Sequence, residues 1–119
     1  MTETLYERLG AQAGIESLVD RIVDLHLANP EVSTRFENGD MERSRAMAKE
    51  FFAAGSGGPV EYTGKSMLDA HQGMNVSEQE LIAVDDNMMQ AMNDLGYGQP
   101  KRDEVLAIAF SLKGEIIRV

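Results

Sequence analysis

Tyr62-Thr-Gly-Lys-Ser-Met-Leu-Asp-Ala-His71-Gln-Gly-Met-Asn-Val76 is the stretch on which the reading of this chain turns. Ser66 offers a side-chain oxygen that can cap a short helix, and Gly73 supplies the left-handed stop that ends one. The stretch therefore predicts a brief helix carrying His71 near its C-terminus. A histidine there ordinarily does no more than complement the helix dipole. Its surroundings argue for more. The chain has two histidines and no cysteine, so few side chains can hold a soft or borderline metal.

Downstream, Ser77-Glu-Gln-Glu80 has the pattern of a capping box. Leu81, Val84, Met88, Ala91, Met92 and Leu95 then recur at helical spacing, which predicts a long helix over 78–95. Gly96-Tyr-Gly-Gln-Pro100 is a turn. A last helix is expected over 101–117, with Val105, Ile108, Ala109, Leu112 and Ile116 inward and Gly114 weakening its end.

Upstream, Gly55-Ser-Gly-Gly-Pro59 breaks the pattern and opens a loop to about Lys65, of a length that often serves a site. Before it, Asp40 is a candidate cap for a helix to about Ala54. Ser44, Met47, Ala48, Phe51 and Phe52 share one face of that helix, and Glu42, Arg43, Arg45, Lys49 and Glu50 the other. Asn38-Gly39 signals a turn, and 31–36 a single tight helical turn bearing Phe36. Asn29-Pro30 ends a helix expected to start at Gly14, with Ile15, Leu18, Val19, Ile22, Leu25 and Leu27 inward. Val23 and His26, three apart, share one side of it. Thr2 is the expected cap of a first helix to about Leu9, stopped by Gly10. No segment alternates as a strand does, so the fold class is all-α, in one domain over residues 1–119.

The totals narrow the function. With 119 residues and 43% hydrophobic content the chain can bury a core. A net charge of −9 without a basic cluster makes nucleic acid and anionic lipid poor partners. No apolar run is long enough to span a membrane, and Met1-Thr-Glu-Thr-Leu-Tyr6 has no secretory pattern, so a cytoplasmic protein is expected. Eight methionines suit a core fitted around an irregular object. Neither histidine has a second ligand at metal spacing on its helix, and no nucleophile–base motif, P-loop or dinucleotide fingerprint is present. One imidazole beside a large apolar cavity would suit haem, which takes a single proximal histidine.

The chain resembles the bacterial truncated haemoglobins, the two-over-two helical globins, and most of all their first group. The resemblance rests on Leu5-Tyr-Glu-Arg-Leu-Gly10, Asn29-Pro30, Phe36, Glu50-Phe-Phe-Ala-Ala54, Gly57-Gly-Pro59, Tyr62-Thr-Gly-Lys65 and Ala70-His-Gln-Gly73, in that order and over nearly the whole length. It implies a globin-like helical sandwich holding haem b, with His71 as the proximal iron ligand. Phe36 would pack on the haem face. Phe51, Phe52, Met67 and Val76 would line the pocket, with Val84 beyond and Lys65 or a neighbour meeting a propionate. It also implies reversible binding of O₂, NO or CO, with a reductase as a partner; a monomer is expected because no long apolar surface stripe is left over. Two other readings are oxidation of NO or peroxidase-like turnover, and a haem-free regulatory module.

The departures from the family pattern are specific. The usual distal tyrosine falls on Val23 and the aromatic before it on Ile22. The usual distal glutamine falls on Ala48, which leaves Ser44, one turn earlier, as the polar residue expected near the sixth coordination site. His26, one turn beyond Val23, is either a partly exposed helix histidine or a side chain able to swing in as a sixth ligand.

Overall fold

The computed structural model describes residues 3–36 and 39–119; the expected cap Thr2 and the Asn38 half of the Asn38-Gly39 turn lie outside them. Helices α1 (Leu5–Arg8), α2 (Ala11–Ala28), α3 (Pro30–Ser33), α4 (Met41–Gly55), α5 (Met67–His71), α6 (Glu78–Asp94) and α7 (Gln99–Ser111) follow in order. Two 3₁₀ turns, Thr34–Phe36 and Lys113–Glu115, complete the set. Among the described residues the only β pairing is an isolated parallel bridge, Val76 to Ile117.

α2 is the central element, packed against α4 on one side and α6 on the other. Ile15, Leu18 and Val19 are sealed from solvent, and Ile22, Val23 and His26 nearly so. Leu27, expected inward, is exposed because it falls past the edge of this stripe. The helix begins three residues before the expected start. Gly10, at φ 104°, makes the turn between α1 and α2. Gly14 lies inside α2, where a Cβ would sit 2.0 Å from the Leu9 carbonyl oxygen. That same oxygen accepts a hydrogen bond from the Tyr97 hydroxyl, so the glycine allows α1, α2 and the turn after α6 to meet.

Short-range chemistry fixes the other ends. Thr4 forms a capping box with Glu7 and starts α1. Asn29 Oδ1 accepts from the Glu31 N–H and starts α3. Asp40 caps α4, Ser66 caps α5, and Ser77 with Glu80 caps α6. Leu95 is exposed, since α6 ends at Asp94; Ala83 takes a buried place instead. α7 ends at Ser111, well short of residue 117, and tightens into the 3₁₀ turn that contains Gly114.

The charged face of α4 is only partly free. Arg45 reaches α2, bonding Asp20 at 3.1 Å and Asp24 at 2.7 Å, and Lys49 meets Asp20 at 3.3 Å. These half-exposed pairs set the register of α4 on α2 more than they stabilise it. The C-terminal residues are stitched to the segment after α5. The Val119 carbonyl accepts from the N–H groups of Gly73 and Asn75, and the Arg118 N–H donates to the Val76 carbonyl. This stitching holds the short helix that carries His71.

Candidate functional site

Both histidines line one cavity of about 310 Å³, within the size range of small-molecule and cofactor sites. α2 contributes Ile22, Val23 and His26, and the 3₁₀ turn after α3 contributes Phe36. Ser44, Ala48, Phe51 and Phe52 come from α4, and Met67 and His71 from α5. Val84 comes from α6, and all five inward positions expected on α7 reach the cavity. Val76 lines a smaller adjoining cavity of about 140 Å³, which shares Phe36, His71 and Val84 with the first. Met47 and Lys65 line neither. Ala48, not Met47, continues the stripe from Ser44 to Phe51 and Phe52. Lys65 is exposed, and its carbonyl accepts from the Tyr62 hydroxyl at 2.7 Å.

His71 is half-buried, and its Nδ1 lies 2.8 Å from the Met67 carbonyl oxygen. A carbonyl can only accept, so Nδ1 carries the proton and Nε2 keeps a free lone pair. That is how metal-binding histidines are commonly oriented: the far nitrogen is tied to an acceptor and the near one is left for the metal. Among the described residues no three His, Cys, Asp or Glu side chains gather to hold an ion. A metal here would have to bring most of its own ligands. Haem does so and needs one protein imidazole between apolar walls, so the residues present fit it.

The wall around α2 and α4 is poor in hydrogen-bond donors. Val23, Ile22 and Ala48 have none, Ser44 has one hydroxyl, and His26 has one ring N–H. No tyrosine lines the cavity: Tyr6 donates to Gln12, Tyr62 to Lys65 and Tyr97 to Leu9. His26 is not the partly exposed surface residue that its place on a helix suggests. It is 7% exposed, and its ring stacks on Phe36 with 6.1 Å between centroids. Burial pushes its pKa down to about 4, so the ring is neutral.

Two charged features escaped the sequence reading. Asp85 lines the cavity, and burial, with neighbouring Asp86, pushes its carboxyl up. The signal was available, because Asp85 stands four residues after Leu81 and three before Met88. Arg35, at the smaller cavity, clamps Glu80 at 2.6 and 2.8 Å and donates to the Met74 carbonyl at 2.9 Å. The guanidinium holds the Glu80 carboxyl down at about 2. This strap ties the Phe36 turn to α6 and to the segment just after His71.

A family model described as bacterial-like globin matches residues 4–117. The group 1 truncated haemoglobin of Tetrahymena thermophila is 33% identical over 93 residues, covering 78% of this chain and 77% of that one. That of Mycolicibacterium paratuberculosis is 30% identical over 113 residues, covering 95% and 83%. The crystal structure of the Tetrahymena pyriformis truncated haemoglobin in its Fe(III) form superposes with a TM-score of 0.95 at 26% identity, covering 98% of this chain and all of that one. An apolar cavity walled by these helices, with one imidazole presenting a free lone pair, accords with these likenesses: the chain belongs to the bacterial-like globin family, among the truncated haemoglobins.

Proposed function

We propose that His71 holds haem b through Nε2 and that Val23 and Ala48, at the tyrosine and glutamine positions of the α2–α4 wall, give a bound gas nothing to hydrogen-bond with, so that O₂ is retained less firmly than in a tyrosine–glutamine pocket. Haem binding and reversible binding of diatomic gas come with the family. When bound, haem would supply the iron at which such a gas binds. The observation that carries the reading is the His71 Nδ1–Met67 carbonyl bond, which leaves Nε2 free beside an apolar cavity. Phe36, Phe51, Phe52, Met67 and Val84 supply apolar contact, and Val76 closes the adjoining space. Ser44 is the hydroxyl of the α4 wall. A reductase that keeps the iron ferrous and a monomeric, cytoplasmic chain complete the reading; the lack of cysteine suits a reducing compartment.

A hydrogen bond to a gas molecule is worth roughly 0.5–1.5 kcal/mol, more where charge develops, and acts mainly on release. Val23→Tyr adds a hydroxyl on the cavity side of α2, and O₂ release should slow by about tenfold. Stopped-flow displacement of O₂ by CO measures it. Wild-type release as slow as that of a tyrosine–glutamine pocket would refute the proposed weak retention. CO, which depends less on a donor, should respond less to the same substitution.

A further inference from the structure

A directed hydrogen-bond chain runs into the cavity wall from the end of α2. It begins at the backbone N–H of Glu31, which can only donate, and which meets Asn29 Oδ1 at 3.0 Å. The Asn29 amide is thereby oriented, and its Nδ2 donates to Asn87 Oδ1 at 3.5 Å. Asn87 is oriented in turn, and its Nδ2 donates to His26 Nδ1 at 2.8 Å. A ring nitrogen that accepts carries no proton, so the proton of the neutral imidazole is on Nε2. Nε2 has no hydrogen-bond partner among the described residues. Nor is it one of the sealed, unsatisfied polar atoms, of which the described residues have none. Nε2 is therefore accessible, in a residue that is 7% exposed and lines the cavity.

We infer that His26 is a hydrogen-bond donor to the gas in the cavity, presented as Nε2–H by the Asn29–Asn87 chain, and is not a sixth ligand to iron. Ligation would need a lone pair on Nε2, and the chain places the lone pair on Nδ1, facing Asn87. The two histidines of one cavity thus carry opposite tautomers. His71 bears its proton on Nδ1 and is suited to hold a metal; His26 bears it on Nε2 and is suited to donate. The packing of Phe36 on the ring restricts the rotation that would exchange its two nitrogens. His26 is then a donor on α2 one turn from Val23, and it offsets only part of what the missing tyrosine and glutamine would supply. This inference rests on the reading that the cavity holds haem under His71.

Two measurements test it. Nitrogen-15 imidazole spectra of the haem-loaded, CO-bound ferrous protein read the tautomer directly. The expected result is a protonated Nε2 and a bare Nδ1 on His26, and a proton on Nδ1 would overturn the inference. His26→Phe keeps the stack on Phe36 and removes the donor. It should speed O₂ release roughly two- to tenfold and raise the C–O stretching frequency of the CO complex. Asn87→Leu keeps the imidazole but removes its anchor, and should move both readouts the same way by less. Unchanged release and stretch in both variants would overturn the inference. So would a six-coordinate low-spin ferrous spectrum that His26→Phe abolishes. A wild-type chain that takes up no haem fails the proposed function itself, whereas a haem-loaded chain with the other tautomer fails only this inference.

Discussion

His71→Gly is expected to lose specific haem uptake. The bond to Met67 already commits Nδ1, so Nε2 is the one nitrogen of His71 that can reach a metal. Removing an outer partner of a metal-bound histidine costs about 10–100-fold in affinity, so removing the imidazole itself should cost more than about a hundredfold. Titrating haem into the variant should give a broad band of loosely held porphyrin in place of a sharp Soret band. Millimolar imidazole should restore the sharp band, because it refills the space the substitution opens. Glycine here is mild for the fold: α5 is a short helix, capped by Ser66 and held by the Val119 contacts just beyond it. Uptake equal to wild type would remove His71 from the site.

The second large effect is acid sensitivity of the haem-free fold. His26 has a folded-state pKa of about 4 against an ordinary value of 6.5, with burial as the cause. Above pH 6.5 the ring is neutral in both the native and the unfolded chain and contributes no pH dependence. As pH falls from 6.5 toward 4, the unfolded chain takes up a proton that the native one refuses, and stability is lost. The full shift corresponds to a loss of about 3 kcal/mol by the time pH passes below 4. Glu80, held at about 2, loses its contribution at lower pH, between its ordinary 4.5 and 2. Asp85, pushed up by burial, works in the opposite sense and offsets part of the loss. Urea unfolding at pH 7, 5.5 and 4 measures the slope. His26→Phe should flatten it between pH 6.5 and 4; an equal slope in the variant would show that other groups carry it.

Much of the fold could be read locally because its ends are set by short-range chemistry. Ser66, Asp40 and Ser77 each bond an amide within the first turn of their own helix, and Gly10 needs only its own backbone freedom. What escaped depends on residues far away in sequence. Gly14 looks like a helix start, yet it lies in the first turn of α2, where the Leu9 carbonyl and Tyr97 leave no room for a Cβ. α7 stops early while the terminal residues pair with the segment around Gly73 and Val76, which no helical period encodes. Arg45 and Lys49 look solvated until Asp20 and Asp24 of α2 are brought beside them.

The site divides the same way. Helical spacing along α2, α4 and α7 brought Val23, Ser44, Ala48, Phe51 and Ile108 to one cavity. The local sequence put His71 on a short helix and the resemblance made it the iron ligand, though neither source revealed the Met67 bond that sets its tautomer. His26 shares a side of α2 with Val23 by spacing alone, but its burial and proton placement depend on Asn87 in α6. Asp85 obeys the apolar period of α6 and was passed over because it is charged.

The account predicts that His71 alone ligates the iron and that no side chain reaches it from the α2–α4 wall. The ferrous protein without added gas is the state in which this is read most directly. Its visible spectrum should be five-coordinate and high-spin, turning six-coordinate and low-spin on adding CO. A low-spin six-coordinate ferrous spectrum before any gas is added, or no Soret band at all after haem addition, would contradict it.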